Sequence, residues 1–279
     1  MKNTNLKNCF DLSGKVAVIT GGSGLLGKKH AEAIAEFGGN PVILDINKEN
    51  AREVSNHIEK KYKVKSLGLH VDITNKEDIS SALEKILAVF NNVHILINNA
   101  ANDPKVKSEA NEKPWSRFEV FPYEIWKQDI EVGLTGAFYC SQVFGSYMAS
   151  NREGVILNVA SDLGVIAPDQ RIYKKEGVLE ENQNVKPVTY SVIKSGLIGL
   201  TRYLATYWAD SGIRVNSISP GGVFNDHPAE FVSKLTNLIP LKRMAHIDEY
   251  KGAVVFLVSN ASSYMTGANL VIDGGRTCW

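Results

Sequence analysis

The segment "KVAVITGGSGLLGKKHAEAIAEFG", residues 15–38, indicates how the whole chain folds. It begins with an apolar, β-branched run that ends at glycines, as a buried strand does. It ends with apolar residues at helical spacing that stop at a glycine. Between the two, Gly22, Gly24 and Gly27 match the pattern Gly-x-Gly-x-x-Gly. Glycines at this place allow a tight turn and a close approach of the backbone to a pyrophosphate at a helix N-terminus, so the segment predicts a dinucleotide site.

The same alternation of strand and helix continues along the chain. Predicted strands cover 15–20, 41–45, 64–72, 93–100, 154–161, 213–220 and 268–273. Predicted helices cover 26–38, 48–62, 76–90 and the regions near 123–150, 189–211 and 248–259. This order predicts a single α/β domain over residues 1–279, a Rossmann-type doubly wound parallel sheet of about seven strands. Two polar stretches, 101–122 and 163–187, break the rhythm and are interpreted as insertions on the substrate side.

Charge and cysteine content argue against several classes of function. A formal net charge of +1 gives no global field that would attract nucleic acid or an anionic membrane. The three cysteines, Cys9, Cys140 and Cys278, are odd in number and far apart, and the histidines show no ligand spacing, so neither a disulfide framework nor a metal is expected. The chain shows no apolar run typical of a signal peptide or a membrane span. We therefore expect a cytoplasmic protein with a small-molecule substrate.

Asp45, at the end of the second predicted strand, is a candidate ribose ligand. A carboxylate at this place can accept hydrogen bonds from the adenosine ribose hydroxyls and would repel a 2′-phosphate. Asp45 is followed by Ile46 rather than by an arginine, so NAD is favoured over NADP as the cofactor. The alternative is that Asp45 only caps the next helix.

The spacing Tyr-x-x-x-Lys occurs twice, at Tyr190/Lys194 and at Tyr123/Lys127. In a helix either pair would share one face. A tyrosine is a poor base at neutral pH because its pKa is about 10, and a lysine one turn away would stabilise the phenolate. A chain with 10 tyrosines produces such a pair by chance, so the motif alone decides nothing.

Several motifs taken in order resemble those of the short-chain dehydrogenase/reductase family, from about residue 12 to residue 275. The motifs are TGGSGLLG (20–27), VDIT (71–74), NNAA (98–101), NVAS (158–161), YSVIK (190–194), SPGGV (219–223) and TGANLVIDGG (266–275). The resemblance implies hydride transfer with Ser161, Tyr190 and Lys194 as catalytic residues. Tyr190 follows the strand that ends in Ser161, which is the family's order. Tyr123 precedes that strand, so its pair is interpreted as the chance match.

The resemblance also implies where NAD would lie. The candidate cofactor residues are Gly21, Ser23, Gly24, Leu25, Leu26, Gly27, Asp45, Ile46, Asp72, Ile73, Asn99, Ala100, Ala101, Tyr190, Lys194, Pro220, Gly221 and Val223. Of these, Asp72 and Ile73 would border the adenine, and Val223 would contact the nicotinamide amide. Lys194 would hold the nicotinamide ribose, and Ser161 would hydrogen-bond the reacting oxygen. The structural alternative is a strand-end cap at Ser161, a core tyrosine at 190 and a solvated charge at Lys194.

Three features depart from the family pattern. Leu25 stands where short, single-domain members usually carry glycine, a spacing that looks like the sugar-nucleotide branch. Gly133 stands where the family usually has an asparagine that helps to hold a water in the proton relay. Ser161 and Tyr190 are farther apart in the sequence than is usual, and the extra residues fall beside the expected substrate.

The leading hypothesis is an NAD-dependent oxidoreductase that acts on a secondary alcohol or ketone of a polar substrate. That substrate is predicted to be a sugar, a sugar phosphate or a nucleotide sugar of a bacterial surface-sugar pathway. One alternative is a reductase of 3-oxoacyl thioesters or small ketones. Another is an NAD-binding protein without turnover, which Gly133 would favour.

Two further expectations concern the substrate and self-association. The polar stretches carry cations beside aromatic residues, and we expect at least one of Lys105, Arg117, Arg171 and Lys174 to contact an anionic group of the substrate. The alternative for these stretches is a solvated surface loop. The resemblance implies a homotetramer or dimer that is paired through the helices near 123–150 and 189–211. Their apolar residues are Phe138, Phe144, Leu197, Leu200, Leu204, Tyr207 and Trp208, which could instead belong to the intrachain core.

Overall fold

The protein is described by a computed structural model that covers residues 5–102 and 114–279. Within these ranges seven strands form one sheet: β1 (Val16–Thr20), β2 (Asn40–Asp45), β3 (Leu67–His70), β4 (Ile95–Asn98), β5 (Gly154–Val159), β6 (Ile213–Pro220) and β7 (Asn269–Ile272). Neighbouring strands are all parallel, in the order β3-β2-β1-β4-β5-β6-β7. The predicted seven-stranded, doubly wound sheet of a single domain is therefore confirmed.

Helices connect the strands. They are α1 (Leu6–Cys9), α2 (Leu25–Glu36), α3 (Lys48–Tyr62), α4 (Lys76–Phe90), α5 (Tyr123–Ile130), α6 (Gly136–Cys140), α7 (Ser146–Ser150), α8 (Val188–Tyr207), α9 (Ala229–Thr236) and α10 (Lys251–Val258). Two π-helical turns, Glu131–Thr135 and Ser141–Gly145, join α5, α6 and α7 into the long helix that the sequence predicted near 123–150. The sequence analysis did not predict α1 or α9. No helix in the described part of the chain is long and apolar enough to cross a membrane.

The strands are apolar on both faces because helices cover the sheet on both sides. In β1, Ala17 and Ile19 face a core that contains residues of α2, α3 and α10. Val16 and Val18 face the opposite core, which contains residues of α4, α7 and α8. This arrangement explains why the predicted strands read as continuous hydrophobic runs rather than as alternating ones.

Strand ends differ from the prediction where side chains capture backbone groups. β4 was predicted over 93–100 but ends at Asn98, because the next two amides donate to the hydroxyl of Thr20 instead of to a neighbouring strand. β3 is also shorter than predicted, Leu67–His70 instead of 64–72. Within the polar stretch 163–187, the chain forms short 3₁₀ turns at Gln170–Tyr173 and Glu180–Asn182.

The strand order reverses beside β1, which pairs with β2 on one side and with β4 on the other. The connections from β1 and β4 therefore leave on opposite faces of the sheet. A crevice opens between them at the carboxyl edge, where open α/β sheets bind their ligands.

Candidate active site

A cleft of about 1260 Å³ lies at this carboxyl edge. Every residue that the sequence nominated for catalysis or cofactor binding lines it, apart from Ser23 and Gly27. Its lining residues come from segments at the carboxyl ends of several strands, from the glycine loop to Arg276. The cleft is larger than most small-ligand pockets, so it has room for a dinucleotide and a small substrate together.

The glycine loop has the close backbone approaches that its sequence predicted. Gly21 has a φ of +58°, and a Cβ built on it would lie 2.9 Å from Cα of Ala100. A Cβ on Gly27 would lie 2.2 Å from the carbonyl oxygen of Gly21. Gly27 therefore allows α2 to pack under the loop, which explains why it does not itself line the cleft. Gly24 precedes α2 without a side-chain cap, so the first-turn amides depend on another partner for their hydrogen bonds.

Thr20 connects the loop after β1 to the loop after β4, on the two sides of the crevice. Its hydroxyl accepts hydrogen bonds from the amides of Asn99 (3.0 Å) and Ala100 (3.1 Å). In return, Nδ2 of Asn99 donates to the carbonyl oxygens of Thr20 (2.9 Å) and Gly21 (3.1 Å). The sequence analysis quoted Thr20 as the first residue of TGGSGLLG but gave it no role.

The carboxylate of Asp45 binds the glycine loop, and its Oδ1 also accepts a hydrogen bond from the amide of Asn47 at 3.0 Å. Its Oδ2 accepts hydrogen bonds from the amide (3.1 Å) and the hydroxyl (2.6 Å) of Ser23. The cap of α3 is Asn47, whose side chain accepts from the amide of Asn50 at 2.9 Å. The helix-cap interpretation of Asp45 is therefore wrong. Ser23, although outside the cleft lining, holds the Asp45 carboxylate in place.

The structure brings Ser161, Tyr190 and Lys194 together in the cleft. Ser161 follows β5 and is buried, while Tyr190 lies in the first turn of α8. Lys194 lies one turn later, and its Nζ donates to the carbonyl oxygen of Val159 at 2.8 Å. Lys194 is 5% exposed, so the interpretation of this residue as a solvated charge is wrong. Tyr123, by contrast, is 70% exposed and does not line the cleft.

The sequence analysis did not predict two residues beside Ser161, one bound to its hydroxyl and the other bound to that first residue. The hydroxyl of Ser161 donates to Oδ1 of Asp162 at 2.8 Å. Nη1 of Arg276 donates to the other carboxylate oxygen, Oδ2, at 2.8 Å. The two side chains of this ion pair are 4% and 6% exposed, and both residues line the cleft. Asp162 follows the NVAS motif and Arg276 follows the C-terminal DGG. The sequence therefore places each residue next to a recognised motif, but it does not indicate that the two form an ion pair.

Gly133, at the family's asparagine position, is buried in a π-helical turn. One turn earlier, the buried carboxylate of Asp129 accepts hydrogen bonds from the hydroxyl of Thr189 (2.5 Å) and from Nδ2 of Asn102 (2.8 Å). Thr189 directly precedes Tyr190, so this polar cluster fixes the start of α8 near the cleft. Asp129 of α5 therefore helps to hold the residue before Tyr190 in place.

Three of the four predicted anion contacts, Arg117, Arg171 and Lys174, lie outside the cleft lining. Arg171 pairs with Asp169 at 2.6 Å, and this ion pair holds the pKa of Asp169 below its usual value. Lys174 pairs with Glu180, while Arg117 donates to the carbonyl oxygen of Glu180. None of the three cations lines the cleft, and Lys105 lies outside the described residues. The surface-loop interpretation fits Arg171 and Lys174, whose side chains are exposed, whereas the side chain of Arg117 is only 16% exposed.

Other cations line the cleft instead. In the described ranges these are Lys127, Lys186, Lys194 and Arg276. Nζ of Lys186 lies 4.0 Å from the centre of the Tyr190 ring, and Nζ of Lys194 lies 5.7 Å from it. The phenol is therefore flanked by two cations, of which the sequence analysis noted only Lys194.

Comparison with known proteins identifies the family. A family model described as enoyl-(acyl carrier protein) reductase matches residues 23–277. An NAD-dependent glycerol dehydrogenase of Listeria innocua is 34% identical over 96% of each chain. The chain belongs to the short-chain dehydrogenase/reductase family. A solved structure agrees, that of a short-chain type dehydrogenase/reductase from Mycobacterium marinum, with a TM-score of 0.82 at 30% identity over 99% of this chain and 100% of that one.

Other relatives in the family differ in cofactor and substrate. An NADP-dependent mannitol dehydrogenase of Hypocrea jecorina is 33% identical over 98% of this chain and 96% of its own. A 3-oxoacyl-[acyl-carrier-protein] reductase of Aquifex aeolicus is 31% identical over 95% and 98%, respectively. Membership of this family makes the protein an oxidoreductase that uses a nicotinamide cofactor and acts on an alcohol or ketone group of a small molecule.

Proposed function

We propose that the protein is an NAD-dependent dehydrogenase of polyhydroxylated substrates, and that Ser161, Tyr190 and Lys194 are its catalytic residues. The observation that carries the proposal is the meeting of these three side chains in one cleft with the glycine loop and Asp45. A bound nicotinamide would supply the hydride acceptor for the alcohol and the hydride donor for the ketone.

The described residues fit a dinucleotide. The positive φ of Gly21 and the missing Cβ atoms of the loop leave a cradle that a side chain would fill. Asp45 lines the cleft with its carboxylate fixed by Ser23. Relatives use either NAD or NADP, and a fixed negative charge at the ribose favours NAD because it repels a 2′-phosphate.

In the proposed reaction, Tyr190 takes the proton of the substrate hydroxyl as the carbon–hydrogen bond breaks, and returns it in the reverse direction. The ammonium of Lys194 favours the phenolate form of Tyr190 electrostatically. Its hydrogen bond to Val159 fixes the position of that charge. Ser161 hydrogen-bonds the reacting oxygen beside Tyr190. The alternative of a binding protein without turnover is set aside because the family acts on alcohol groups.

The substrate side of the cleft supports a sugar or polyol. Its lining combines hydrogen-bonding groups, among them Asn225 and His227, with the rings of Tyr173 and Phe231. Aromatic faces pack on a sugar ring while polar groups bind its hydroxyls. Relatives named for glycerol and mannitol support the same class. A sugar phosphate or nucleotide sugar of a bacterial surface pathway is the narrower form of this proposal, and a cytoplasmic location is part of it.

A second candidate is a reductase of 3-oxoacyl thioesters. The apolar cluster that contains Ile172, Leu235 and Met244 lines part of the cleft and could receive an acyl chain. One relative at 31% identity has this activity in its name.

The experiment is a panel assay of the purified protein with NAD(H) and NADP(H), followed by the absorbance of the reduced nicotinamide. The panel contains glycerol, mannitol, sugar phosphates, nucleotide sugars and acetoacetyl thioesters. We expect turnover of at least one polyol or sugar with NAD. Turnover confined to the thioesters would establish the second candidate and overturn the first.

We also propose that the protein is a homotetramer or dimer. Of the apolar residues named above, Phe144, Leu197, Leu204 and Trp208 are buried within the chain, so the intrachain interpretation is right for these. Phe138 (47% exposed) and Tyr207 (64%) remain on the surface of the same helices and would pack across a two-fold axis. Light scattering should give a multiple of 30.6 kDa, and a monomer mass at micromolar concentration would contradict the proposal.

A further inference from the structure

His227 lies on the wall of the cleft, where the chain runs from β6 to α9. Before it, the amide of Phe224 donates to the carbonyl oxygen of Ala245 at 2.9 Å. After it, Nζ of Lys234 on α9 donates to the carbonyl oxygen of Lys174 at 2.6 Å. The loop that carries His227 is therefore anchored at both ends to other parts of the chain.

The imidazole ring of His227 is held among other rings. It stacks on Phe231, with 5.4 Å between the ring centres and 21° between the planes, and the ring of Tyr173 lies 5.7 Å from that of Phe231. All three residues are half-buried and line the cleft. A ring held in this way loses little conformational freedom when it binds a ligand. A phenylalanine would stack equally well, so the stacking alone does not account for a histidine.

The hydrogen bond of Nδ1 sets the position of the imidazole proton. Nδ1 of His227 accepts from the amide of Asn225 at 3.2 Å, and an amide N–H can only donate. Nδ1 therefore carries no proton, and the ring carries its single proton on Nε2. The two nitrogens point away from each other, so Nε2–H is the group that His227 offers to a ligand. It has no hydrogen-bond partner among residues 5–102 and 114–279.

A neutral N–H group of this kind recognises an oxygen with a lone pair. In the proposed reaction the reacting oxygen is already bound by Ser161 and Tyr190, which come from the end of β5 and the start of α8. A donor on the wall between β6 and α9 therefore has a different oxygen to bind. A polyol carries such an oxygen on a carbon beside the reacting one or farther along, whereas a simple secondary alcohol has none.

We propose that His227 is a specificity-determining residue that donates a hydrogen bond from Nε2 to a second hydroxyl group of the substrate. The inference deepens the proposed function and rests on it. Selection of polyols over simple alcohols depends in part on this donor, because its N–H is left without a partner when the second hydroxyl is missing.

Three substitutions separate the reasons for a histidine at this position. His227→Phe keeps the stacked ring, His227→Asn keeps a side-chain acceptor for the Asn225 amide, and His227→Gln keeps an N–H group at the place of Nε2. The readout is kcat/KM with saturating NAD for the polyol or sugar of the panel that the parent prefers. We expect a loss of about five- to tenfold in the first two variants, as for one lost hydrogen bond, and of less than about threefold in His227→Gln. His57→Phe, at an exposed position of α3, is the control and should match the parent.

Deoxy forms of the preferred substrate show whether the contact is direct. Each lacks one hydroxyl group other than the reacting one, and for glycerol they are the two enantiomers of 1,2-propanediol. With the deoxy form that lacks the partner of His227, the parent and His227→Phe should differ by less than about twofold, because no hydrogen bond is left to lose. The Kd of NADH, from fluorescence titration, should stay within about twofold of the parent in all variants.

Competing roles of His227 give different results. If His227→Phe keeps full activity the residue serves only to stack, and if His227→Asn keeps it the residue serves only to hold the loop; either result overturns the inference. An equal loss with the substrate and every deoxy form, or a matching rise in the Kd of NADH, would assign the contact to the reacting oxygen or the cofactor and also overturn it. In each of these cases the proposed function stands. A parent that binds NADH but oxidises no polyol or sugar contradicts the proposed function itself, and the inference fails with it.

Discussion

A Cβ atom built at Gly133 would lie 2.8 Å from Cγ2 of Ile193 and 3.0 Å from its Cδ1. Gly133 lies in the π-helical turn after α5, and Ile193 lies on α8 directly before Lys194. A side chain at 133 would therefore have to push the side chain of Ile193 aside or shift α8. This packing explains the glycine at a position where the family usually has an asparagine.

We expect Gly133→Asn to lower the free energy of unfolding by about 1–3 kcal/mol, because the new side chain must displace Ile193 or shift α8. Combining it with Ile193→Ala should recover part of this loss, since the small residue makes room for the asparagine. Urea denaturation measures both. Gly199→Ala is the matched control, because a Cβ there meets nothing within 4 Å and α8 should become slightly more stable. Equal stability of the parent and Gly133→Asn would show that the close approach is not rigid.

The pair Tyr190/Lys194 is proposed to be catalytic, and the second Tyr-x-x-x-Lys pair, Tyr123/Lys127, offers a control with the same spacing. Tyr190→Phe should lower kcat at least a hundredfold while the Kd for NAD stays within about twofold, because only the phenolic oxygen is lost. Lys194→Met should impair both quantities, since its ammonium is proposed to serve Tyr190 and the cofactor ribose. Steady-state kinetics and fluorescence titration of NADH measure them. Tyr123→Phe should change neither, and loss of turnover in that variant instead would make the assignment wrong.

Cofactor preference should depend on the charge of Asp45. We expect the parent to bind NAD(H) more tightly than NADP(H), and Asp45→Ala to narrow this difference about tenfold or more. The alanine also removes the acceptor of the Ser23 hydroxyl, so Ser23→Ala serves as the control for loop support. Ser23→Ala should lower the affinities for NAD(H) and NADP(H) by a similar factor. Tighter binding of NADP(H) by the parent would contradict the assignment of NAD.

The sheet could be predicted because each strand, turn and helix is indicated by a pattern within a few consecutive residues. A β-branched run, a glycine turn and an amphipathic helix lie side by side in 15–38, and each has its own period. The same holds for most candidate site residues, which follow directly on strand ends. The pair of Asp162 and Arg276 could not be predicted in this way, because the two residues are 114 positions apart and only the packed fold brings them together.

The roles of the cations in the polar stretch 163–187 could not be predicted from the sequence. Composition placed cations near the expected substrate, but it could not tell which of them would be neutralised by neighbours. Arg171 and Lys174 are paired with Asp169 and Glu180 on the surface. Lys186, which lies in the same stretch, instead reaches the ring of Tyr190.

Lys186 should support the phenolate form of Tyr190, because its Nζ lies 4.0 Å from the ring centre in the same cleft. We expect Lys186→Met to lower kcat/KM at neutral pH about two- to fivefold and to move the acidic limb of the pH–rate profile to higher pH. Lys186→Arg keeps a cation and should preserve the profile. A rise in KM confined to anionic substrates, with the pH profile unchanged, would assign Lys186 to substrate binding instead.

The last prediction concerns His30, which is buried on α2 beneath the glycine loop. Burial lowers the pKa of His30 to about 4, and the nearby Asn99 opposes this only in part, since neither ring nitrogen reaches a partner at hydrogen-bond geometry within the described chain. The native state therefore keeps His30 neutral while the unfolded chain takes up a proton below pH 6.5. This difference in pKa leaves the free energy of unfolding unchanged above about pH 6.5. As the pH falls below that value it lowers the free energy of unfolding, by about 3 kcal/mol near pH 4.

We expect His30→Leu to remove this part of the acid sensitivity of folding. Urea denaturation of the parent and the variant at intervals between pH 7.5 and pH 4 should show stability curves that run parallel above about pH 6.5, while below it the stability of the parent falls faster than that of the variant. His57→Leu, at an exposed position of α3, is the matched control and should follow the parent over the whole range because it changes no buried side chain. Parallel loss of stability in the parent and His30→Leu would mean that the core around α2 opens to let His30 take up its proton.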